Sequence, residues 1–278
     1  MFYHGESLSM PDPQPLRLVV HGAAGRMGRR IVACAADDAG RWQLVAAIDR
    51  FKQGVDAGEL AGSGRCGVAI GETWDAAADV VIDFSLPGAV AAIASACVDR
   101  GVPLVVATTG LEPADEQAIT AAATTIPVLV SPSMSLAVNI AMDLVGRAGR
   151  LLAGVGSRAD VEIIECHHHH KEDAPSGTAL KFGRIVREAM GQTREIHGRE
   201  GRPGARPTDE IGYHAVRSGD NPGEHTIVFG LEGESLSVNV RATNRDSYAR
   251  GALAAAAFLI AKPAGRYAME DVLGIHSL

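Results

Sequence analysis

The densest group of reactive side chains lies well inside the chain, in the stretch ECHHHHKEDAPSGT over residues 165–178. Imidazole groups titrate near neutral pH, so His167 or His168 can transfer protons to and from a substrate. Lys171 adds a positive charge on a flexible stem. These side chains predict acid/base chemistry on a molecule that carries negative charge.

The end of the same stretch has the composition of a helix start. Ser176 is a typical N-cap residue, which leaves the backbone amides of Gly177 and Thr178 without partners inside the helix. Such amides suit a carboxylate because the helix dipole also favours negative charge there. The simpler alternative is that Ser-Gly-Thr only caps the helix.

The run of four histidines, residues 167–170, also fits an expression tag or a metal-binding tract. Tags normally lie at chain ends, whereas this run lies between a predicted strand and a predicted helix. Neighbouring strand residues point to opposite faces, so the four rings cannot converge on one tetrahedral zinc ion. We therefore predict no metal site. Glu165 and Asp173 could nevertheless add oxygen ligands, and a metal- or nucleotide-sensing module is the alternative outside enzymes.

A glycine-rich turn, VVHGAAGRMG over residues 19–28, ends one predicted strand and opens a predicted helix. This context is typical of a dinucleotide-binding site, where helix amides face a pyrophosphate. The turn reads GxxGxxG, with Ala24 where the second glycine of GxGxxG usually admits the phosphate. The expected cofactor residues are Gly22, Ala23, Ala24, Gly25, Arg26 and Met27.

Two charged residues mark the end of the next predicted strand. Asp49 lies 21 residues past Gly28, at the distance where a carboxylate accepts hydrogen bonds from ribose hydroxyls. Arg50 beside it could hold a 2′-phosphate. The pair predicts NADPH or NADH as cofactor and leaves the preference open. The alternative is a plain β–α turn beside a surface charge pair.

Two more segments follow predicted strands, at the sheet edge where open α/β folds bind ligands. We expect them to orient a nicotinamide, although each alone could be an ordinary loop. Their residues are Ala107, Thr108 and Thr109 after the fourth strand, and Ser131, Pro132, Ser133 and Met134 after the fifth.

The first half of the chain alternates short β-branched runs with alanine-rich helical segments. This rhythm predicts an α/β, Rossmann-type doubly wound parallel sheet in a dinucleotide-binding domain over residues 16–134. The expected strands are 16–21, 42–49, 80–84, 103–107 and 127–131, and the expected helices are 26–36, 87–100 and 114–124.

The rhythm changes after residue 135, because successive strands follow one another without helices. It predicts a second α+β domain over 135–244 with a mixed, largely antiparallel sheet, and a C-terminal helical segment, 245–278, that returns to the first domain. The expected helices are 136–153, 177–190 and 247–260, the expected strands are 161–166, 211–217, 225–230 and 235–243, and residues 198–207 are expected to form a mobile loop.

Composition excludes several classes of function. The net charge is −7, from 26 basic and 33 acidic side chains, so no bulk attraction to nucleic acid or to an anionic membrane is expected. The longest apolar stretches are shorter than the roughly 18 to 20 residues that cross a bilayer. Residues 1–15 look like a flexible leader without the regions of a secretory signal, and the four cysteines are too far apart for a metal or redox pair. We expect reduced thiols and a cytoplasmic protein.

Taken together, these motifs resemble the 4-hydroxy-tetrahydrodipicolinate reductase (dihydrodipicolinate reductase) family of lysine biosynthesis, in order and at similar spacing over nearly the whole chain. The resemblance implies NAD(P)H-dependent reduction of a small dicarboxylate in the diaminopimelate route, by a homotetramer built through the second domain's sheet. It is carried by Gly22 to Gly28, Asp49-Arg50, Asp83-Phe84-Ser85, Thr108-Thr109-Gly110, Glu165 to Thr178 and Gly223-Glu224-His225-Thr226.

The resemblance also implies a role for each site residue. His167 would be the acid/base residue and Lys171 a proton donor. The substrate ligands would be His168, Ser176, Gly177 and Thr178. Three positions depart from the family pattern and affect nicotinamide positioning: Ala107, Ser133 and Ala137. The alternative within enzymes is another two-domain NAD(P)-dependent dehydrogenase that acts on a small carboxylate.

Overall fold

The computed structural model describes residues 14–156 and 159–275, so nearly all of the predicted leader lies outside the described residues. By internal contacts the chain divides into two units, Met1–Val128 with Leu259–Gly265, and Leu129–Phe258 with Arg266–Leu278. Among the described residues, no helix combines the length and the hydropathy that a bilayer span requires.

The first unit is built on a parallel sheet. The central strands are buried on both faces, with Val19, Val81 and Val105 fully inaccessible to solvent, as is typical of parallel sheets covered by helices on both sides. The strands are β1 (Leu16–His21), β2 (Trp42–Ile48), β3 (Ile70–Gly71), β4 (Val80–Asp83), β5 (Leu104–Val106) and β6 (Pro127–Val130), and the helices are α1 (Arg26–Asp37), α2 (Ala57–Ala61), α3 (Val90–Arg100) and α4 (Pro113–Ala122).

The strand order confirms the predicted Rossmann-type fold. With β12 (Gly265–Tyr267), the seven-stranded sheet of the described chain runs β12-β6-β5-β4-β1-β2-β3. The pairings that join β5, β4, β1, β2 and β3 are all parallel. The chain therefore winds outward from β1 in both directions, which brings the carboxyl ends of β1, β4 and β5 to one edge.

Local chemistry explains where the first unit departs from the predicted boundaries. The helix expected from residue 87 begins at Val90, because Gly88 adopts a left-handed conformation (φ +81°) that an α-helix cannot continue. The short elements α2 and β3 were not predicted, since five and two residues are too few to show a periodic pattern.

The second unit places helices on one face of a five-stranded sheet. Two helices, residues 136–154 and 177–190, pack on the sheet in one buried cluster that includes Val145, Phe182, Ile163 and Phe229. The elements are α5 (Leu136–Gly154), β7 (Asp160–His167), α6 (Gly177–Met190), β8 (Arg194–His197), β9 (Glu210–Arg217), β10 (Glu224–Gly230) and β11 (Ser235–Arg241), followed in the chain by α7 (Asp246–Leu259), β12 and α8 (Met269–Val272).

The order of the second sheet is β11-β10-β7-β9-β8, and it confirms the predicted mixed sheet. β10 is antiparallel to β11 and β7, whereas β9 is parallel to β7 and β8, so the antiparallel share is one half. The parallel half exists because α6 carries the chain back across the sheet after β7. β8 was not predicted, because three of its four residues are exposed and no apolar pattern marks it.

The segment 198–207 contains neither helix nor strand, but its arginines bind β7. Arg199 and Arg206 each donate to Glu162, at 2.7 and 2.9 Å, and Arg206 also reaches Asp160 at 2.8 Å. These ion pairs argue against the mobility predicted for this loop.

Candidate functional site

The end of β7 holds a buried carboxylate–imidazole pair. The alternation that buries Val161 and Ile163 also turns Glu165 and His167 toward the helix-covered face of the sheet. The Nδ1 atom of His167 lies 2.5 Å from Oε2 of Glu165, and Glu165 is only 1% exposed. The sequence prediction used His167 for chemistry and regarded Glu165 only as a possible metal ligand.

Glu165 binds three segments of the chain. Arg217, at the end of β9, donates to both carboxylate oxygens at 2.8 Å, and the backbone amide of Ser176 donates to Oε1 at 3.0 Å. Burial alone would raise the pKa of Glu165, but the hydrogen bonds from Arg217 and His167 outweigh it and hold that pKa below its usual value. Glu165 is therefore an ionised acceptor.

His167 is predominantly a neutral imidazole at pH 7. Burial lowers its pKa, and the opposing effect of the Glu165 carboxylate does not fully restore it. Because a carboxylate only accepts hydrogen bonds, the ring proton lies on Nδ1 and Nε2 has the lone pair. Gly223 lies beside that atom: a Cβ at position 223 would lie 3.0 Å from Nε2, so a glycine keeps the space next to it open.

The start of α6 has the predicted cap. Ser176 Oγ accepts from the amide of Ala179 at 3.1 Å and lies 3.0 Å from Nε2 of His225. Burial, followed by repulsion from His167 when that ring is protonated, lowers the pKa of His225 to about 4, so His225 is neutral at pH 7 and shares a hydrogen bond with the Ser176 hydroxyl. The side chain of Ser176 is thus turned inward, and it holds the helix start in place.

Among the described residues, the backbone amides of Gly177 and Thr178 have no acceptor and can therefore bind an anion. No hydrogen bond from either amide occurs within the described part of the chain, and Gly177 is exposed. A Cβ built on Gly177 would meet no described heavy atom within 4 Å. The first turn of α6 therefore presents two donors to open space, as an anion-binding helix start requires.

The loop between β7 and α6 carries the remaining candidates. Lys171 Nζ lies 2.7 Å from Oδ1 of Asp173, which is more exposed than the lysine. The Nδ1 atom of His168 is buried without a partner among the described residues, and burial, followed by the charge of Arg245, lowers the pKa of that ring. In the described residues, no group of three or more His, Cys, Asp or Glu side chains is placed to hold a metal ion.

The glycine turn of the first unit has the tight geometry that a phosphate site needs. Gly22 has φ +79°, and a Cβ there would lie 2.4 Å from the carbonyl oxygen of Phe84. A Cβ on Gly28 would lie 2.1 Å from the carbonyl oxygen of Gly22. Helix α1 begins at Arg26 after Gly25, with no side chain capping its first amides. These features fit the pyrophosphate of a dinucleotide.

Asp49 connects the glycine turn to the end of β2. Its Oδ2 accepts from the amide of Ala24 and its Oδ1 from the amide of Phe51, both at 2.9 Å. Arg50 is exposed beside it. The predicted ribose ligand thus also fixes the turn, and Ala24, at the position of the missing glycine, supplies the amide that it binds.

A buried carboxylate that the sequence analysis left without a role organises the neighbouring strand ends. Asp83 is fully buried, and it binds Nδ1 of His21 and the hydroxyl of Thr108, both at 2.6 Å. Thr108 Oγ1 in turn accepts from the amide of Ser85 at 3.0 Å. Ala107 is buried and Thr109 is exposed, so Thr109 is the freer of the two threonines predicted near the nicotinamide.

The segment 131–134 belongs to the second unit and is held by Asn139 of α5. The Nδ2 atom of Asn139 donates to the carbonyls of Ser133 and Ser135, at 2.9 and 2.8 Å. Ser131 Oγ donates to the same Ser133 carbonyl at 2.8 Å. Sequence reasoning missed Asn139, although a buried polar residue in the first turn of an apolar helix was a usable signal.

Comparison with known proteins is consistent across both units. The protein-family model described as dihydrodipicolinate reductase, N-terminus, matches residues 16–134, and the one described as dihydrodipicolinate reductase, C-terminus, matches residues 137–273. The chain is 53% identical to a 4-hydroxy-tetrahydrodipicolinate reductase of Rhodopirellula baltica over 272 residues, which cover 94% of this chain and 97% of that protein. It is 45% identical to the protein of the same name from Alkalilimnicola ehrlichii, with coverages of 93% and 99%.

Solved structures agree with the sequence relatives. A dipicolinate-bound dihydrodipicolinate reductase from Paenisporosarcina sp. TG-14 matches with a TM-score of 0.72 and 25% identity, over 92% of this chain and 99% of that chain. A myo-inositol dehydrogenase from Corynebacterium glutamicum matches with a TM-score of 0.52 and 16% identity, over 90% of each chain, and shows a shared fold alone.

Proposed function

Because the chain belongs to the 4-hydroxy-tetrahydrodipicolinate reductase family, we propose that its reaction takes place at the Glu165–His167 pair and the adjoining start of α6. The chain is an NAD(P)H-dependent oxidoreductase that reduces 4-hydroxy-tetrahydrodipicolinate to tetrahydrodipicolinate in the diaminopimelate route of lysine biosynthesis. One observation supports this site above the others. Glu165 accepts hydrogen bonds from both His167 and the Ser176 amide, so an acid/base group and an anion-binding helix start share one anchor.

We assign the substrate's carboxylate to the first turn of α6. The amides of Gly177 and Thr178 would bind one carboxylate, with Ser176 holding the turn and His168 completing the site. Lys171 supplies positive charge nearby, which favours a dianionic ligand over a neutral one. A small dicarboxylate of this kind is the class of substrate that the family reduces.

The proton-transfer residues act on charge that develops during reduction. The 4-hydroxy substrate first loses water, which gives an α,β-unsaturated cyclic imine. Reduced nicotinamide, when bound, would supply a hydride to C4 of that imine, which leaves electron density on the ring nitrogen and C3. His167 would take up and deliver a proton at Nε2, and Lys171 would donate from Nζ. Groups that stabilise this charge more strongly than the ground state raise the rate.

We assign the cofactor to the glycine turn and to the segments that follow the strands. In the first unit the turn would bind the pyrophosphate, Asp49 the ribose and Arg50 a 2′-phosphate, so that NADPH or NADH can serve. The proposed contacts are Gly22, Ala23, Ala24, Gly25, Arg26, Met27, Asp49, Arg50, Ala107, Thr108, Thr109, Ser131, Pro132, Ser133 and Met134.

The domain organisation follows from the proposed substrate and cofactor sites. We propose a dinucleotide-binding domain over 16–134, a substrate-binding and oligomerisation domain over 135–244 and a C-terminal segment, 245–278, that returns to the first. All four cysteines are free thiols, which supports a cytoplasmic location.

A homotetramer is the proposed assembly, built through the face of the second sheet that its helices leave open. Ile164 and Val216 are 40% and 44% exposed on that face, an unusual exposure for β-branched side chains in the middle of a sheet. Light scattering should give a tetramer for the unmodified chain and smaller species for Ile164→Lys. Leu151→Lys, on the exposed side of α5, is the control that should leave the tetramer intact. A monomeric unmodified chain would contradict the proposal.

The activity is tested by supplying the product of the upstream synthase and following the absorbance of NADPH or NADH. We expect cofactor oxidation that depends on this substrate and is inhibited competitively by dipicolinate, the ligand named for the Paenisporosarcina protein. Oxidation with other small carboxylates but not with this imine would favour a different dehydrogenase activity.

A further inference from the structure

We propose that Glu165, held by Arg217, is a positioning residue that fixes the tautomer of His167 and couples it to the anion-binding start of α6. The inference rests on the proposed function for its chemistry, but the tautomer itself can be measured without activity. Neither Glu165 nor Arg217 is among the residues assigned above to proton transfer or to binding of the substrate or cofactor.

The geometry around Glu165 leaves one arrangement of protons. Among the described residues, N–H groups from His167, Arg217 and Ser176 surround the carboxylate, with heavy-atom distances of 2.5 to 3.0 Å. Arg217 and the backbone amide can only donate, and an ionised carboxylate can only accept. The proton of the neutral His167 ring must therefore lie on Nδ1, which leaves Nε2 as the atom that exchanges protons with a substrate.

The alternative is that Glu165 and Arg217 form only a structural ion pair between β7 and β9. A buried pair of that kind would stabilise the strand ends whatever lay next to it. Two observations favour positioning. The carboxylate accepts from Nδ1 of His167 as well as from Arg217, and it also accepts from the backbone amide of Ser176 at the start of α6. The carboxylate thus serves both groups that would meet the substrate.

A glutamine at position 165 would reverse this arrangement. If its amide nitrogen replaced Oε1, it would face the donors of Ser176 and Arg217, neither of which can accept. If the amide nitrogen replaced Oε2, it would face Arg217 and His167. Of these two, only His167 can accept a hydrogen bond from it, at Nδ1. The Glu165→Gln variant should therefore move the His167 proton to Nε2, which removes the acceptor from the position where the substrate needs it.

The charges around His167 supply a second, directional test. The ionisable groups facing it are Glu165 on its own strand, Arg217 from β9, Lys171 from the loop and His225 from β10, whose ring centroid is 5.2 Å away. Glu165 raises the pKa of His167, whereas Arg217 and Lys171 lower it. Glu165→Gln should thus shift the His167 limb of the pH–rate profile to lower pH, and Arg217→Gln should shift it to higher pH.

Kinetics on the full chain test the proposal. We expect Glu165→Gln to lower kcat by about 100-fold to about 10⁴-fold, the upper value being the loss seen when the imidazole of a Ser-His-Asp triad is left in the wrong tautomer, with a much smaller change in KM. Arg217→Lys should restore part of the activity that Arg217→Gln loses. The matched control is Asp79→Asn, which also removes a carboxylate that one arginine, Arg17, holds through two nitrogens. Asp79 lies at the amino end of β4, at the edge of the sheet opposite the strand ends assigned to the cofactor. This control variant should retain near-normal kcat and an unshifted profile.

Several results would overturn the proposal. One is a kcat of Glu165→Gln close to that of the control. Another is a rise in the KM of Glu165→Gln with unchanged kcat. A third is a shift of the His167 limb of the pH–rate profile in the same direction in Glu165→Gln and Arg217→Gln. Nitrogen-15 spectra of the imidazoles in the unmodified chain give a readout that needs neither turnover nor a folded variant. A His167 signal with the proton on Nε2 refutes the positioning role. An inactive chain with the proton on Nδ1 refutes only the proposed function.

Discussion

Gly22→Ala probes the glycine turn most directly, because the structure gives two separate costs for it. The first is backbone strain, since Gly22 has φ +79° and a side chain in that region costs about 1–2 kcal/mol. The second is a collision, since the new Cβ would lie 2.4 Å from the Phe84 carbonyl oxygen and 2.8 Å from its carbonyl carbon. Both atoms belong to the backbone, so neither can rotate away.

Gly62→Ala isolates the first cost. Gly62 ends α2 with φ +78°, nearly the same conformation, but a Cβ there would meet no described heavy atom within 4 Å. We expect Gly62→Ala to lower the free energy of unfolding by about 1–2 kcal/mol. Overpacking of a rigid site costs about 1–3 kcal/mol more, so Gly22→Ala should lower the free energy of unfolding by about 2–5 kcal/mol.

Urea denaturation followed by circular dichroism measures this difference, and steady-state kinetics measure its effect on the cofactor. If the turn moves away from Phe84, the amides that we assign to the pyrophosphate move with it. The KM for NADPH and NADH should then rise by about 10-fold, equivalent to about 1.4 kcal/mol, in Gly22→Ala but not in Gly62→Ala. Equal losses of stability in the two variants, with unchanged cofactor KM values, would refute the geometry described for the turn.

Three further predictions concern the site. His167→Gln and Lys171→Gln should each lower kcat by roughly 100-fold or more, the scale of a positioned proton donor; near-normal rates in both purified variants would remove them from the mechanism. Arg50→Ala should raise the KM for NADPH more than that for NADH, and equal effects would exclude 2′-phosphate recognition. His225, whose pKa falls from 6.5 to about 4 on burial, binds its proton more readily when unfolded, so it contributes stability above pH 6.5 that is lost as the pH falls. Between pH 6.5 and about pH 5, urea denaturation should show the free energy of unfolding falling by about 2 kcal/mol more in the unmodified chain than in His225→Gln. Equal decreases in the two proteins would contradict a buried neutral imidazole.

Much of the fold could be predicted because its signals are local. The β-branched runs gave β1 its exact bounds of residues 16 to 21, and the Ser-Gly-Thr cap correctly placed the start of α6 at Gly177. Side-chain alternation and capping act over two to four residues, so the sequence contains the whole of such a signal. For the same reason His167, Lys171 and Gly177 were recognisable together, since they share one continuous loop.

The partners of those residues depend on strand register, which no local pattern encodes. Glu165 and Arg217 are 52 residues apart and meet because β7 and β9 pair in parallel, an arrangement set by the crossover through α6. Ser176 meets His225, 49 residues away, only because β10 pairs on the other side of β7. The sequence by itself determined which groups are candidates for the chemistry and which family the chain resembles. Only the tertiary structure decided the proton position on His167, because burial and long-range pairing determine which acceptor its ring faces.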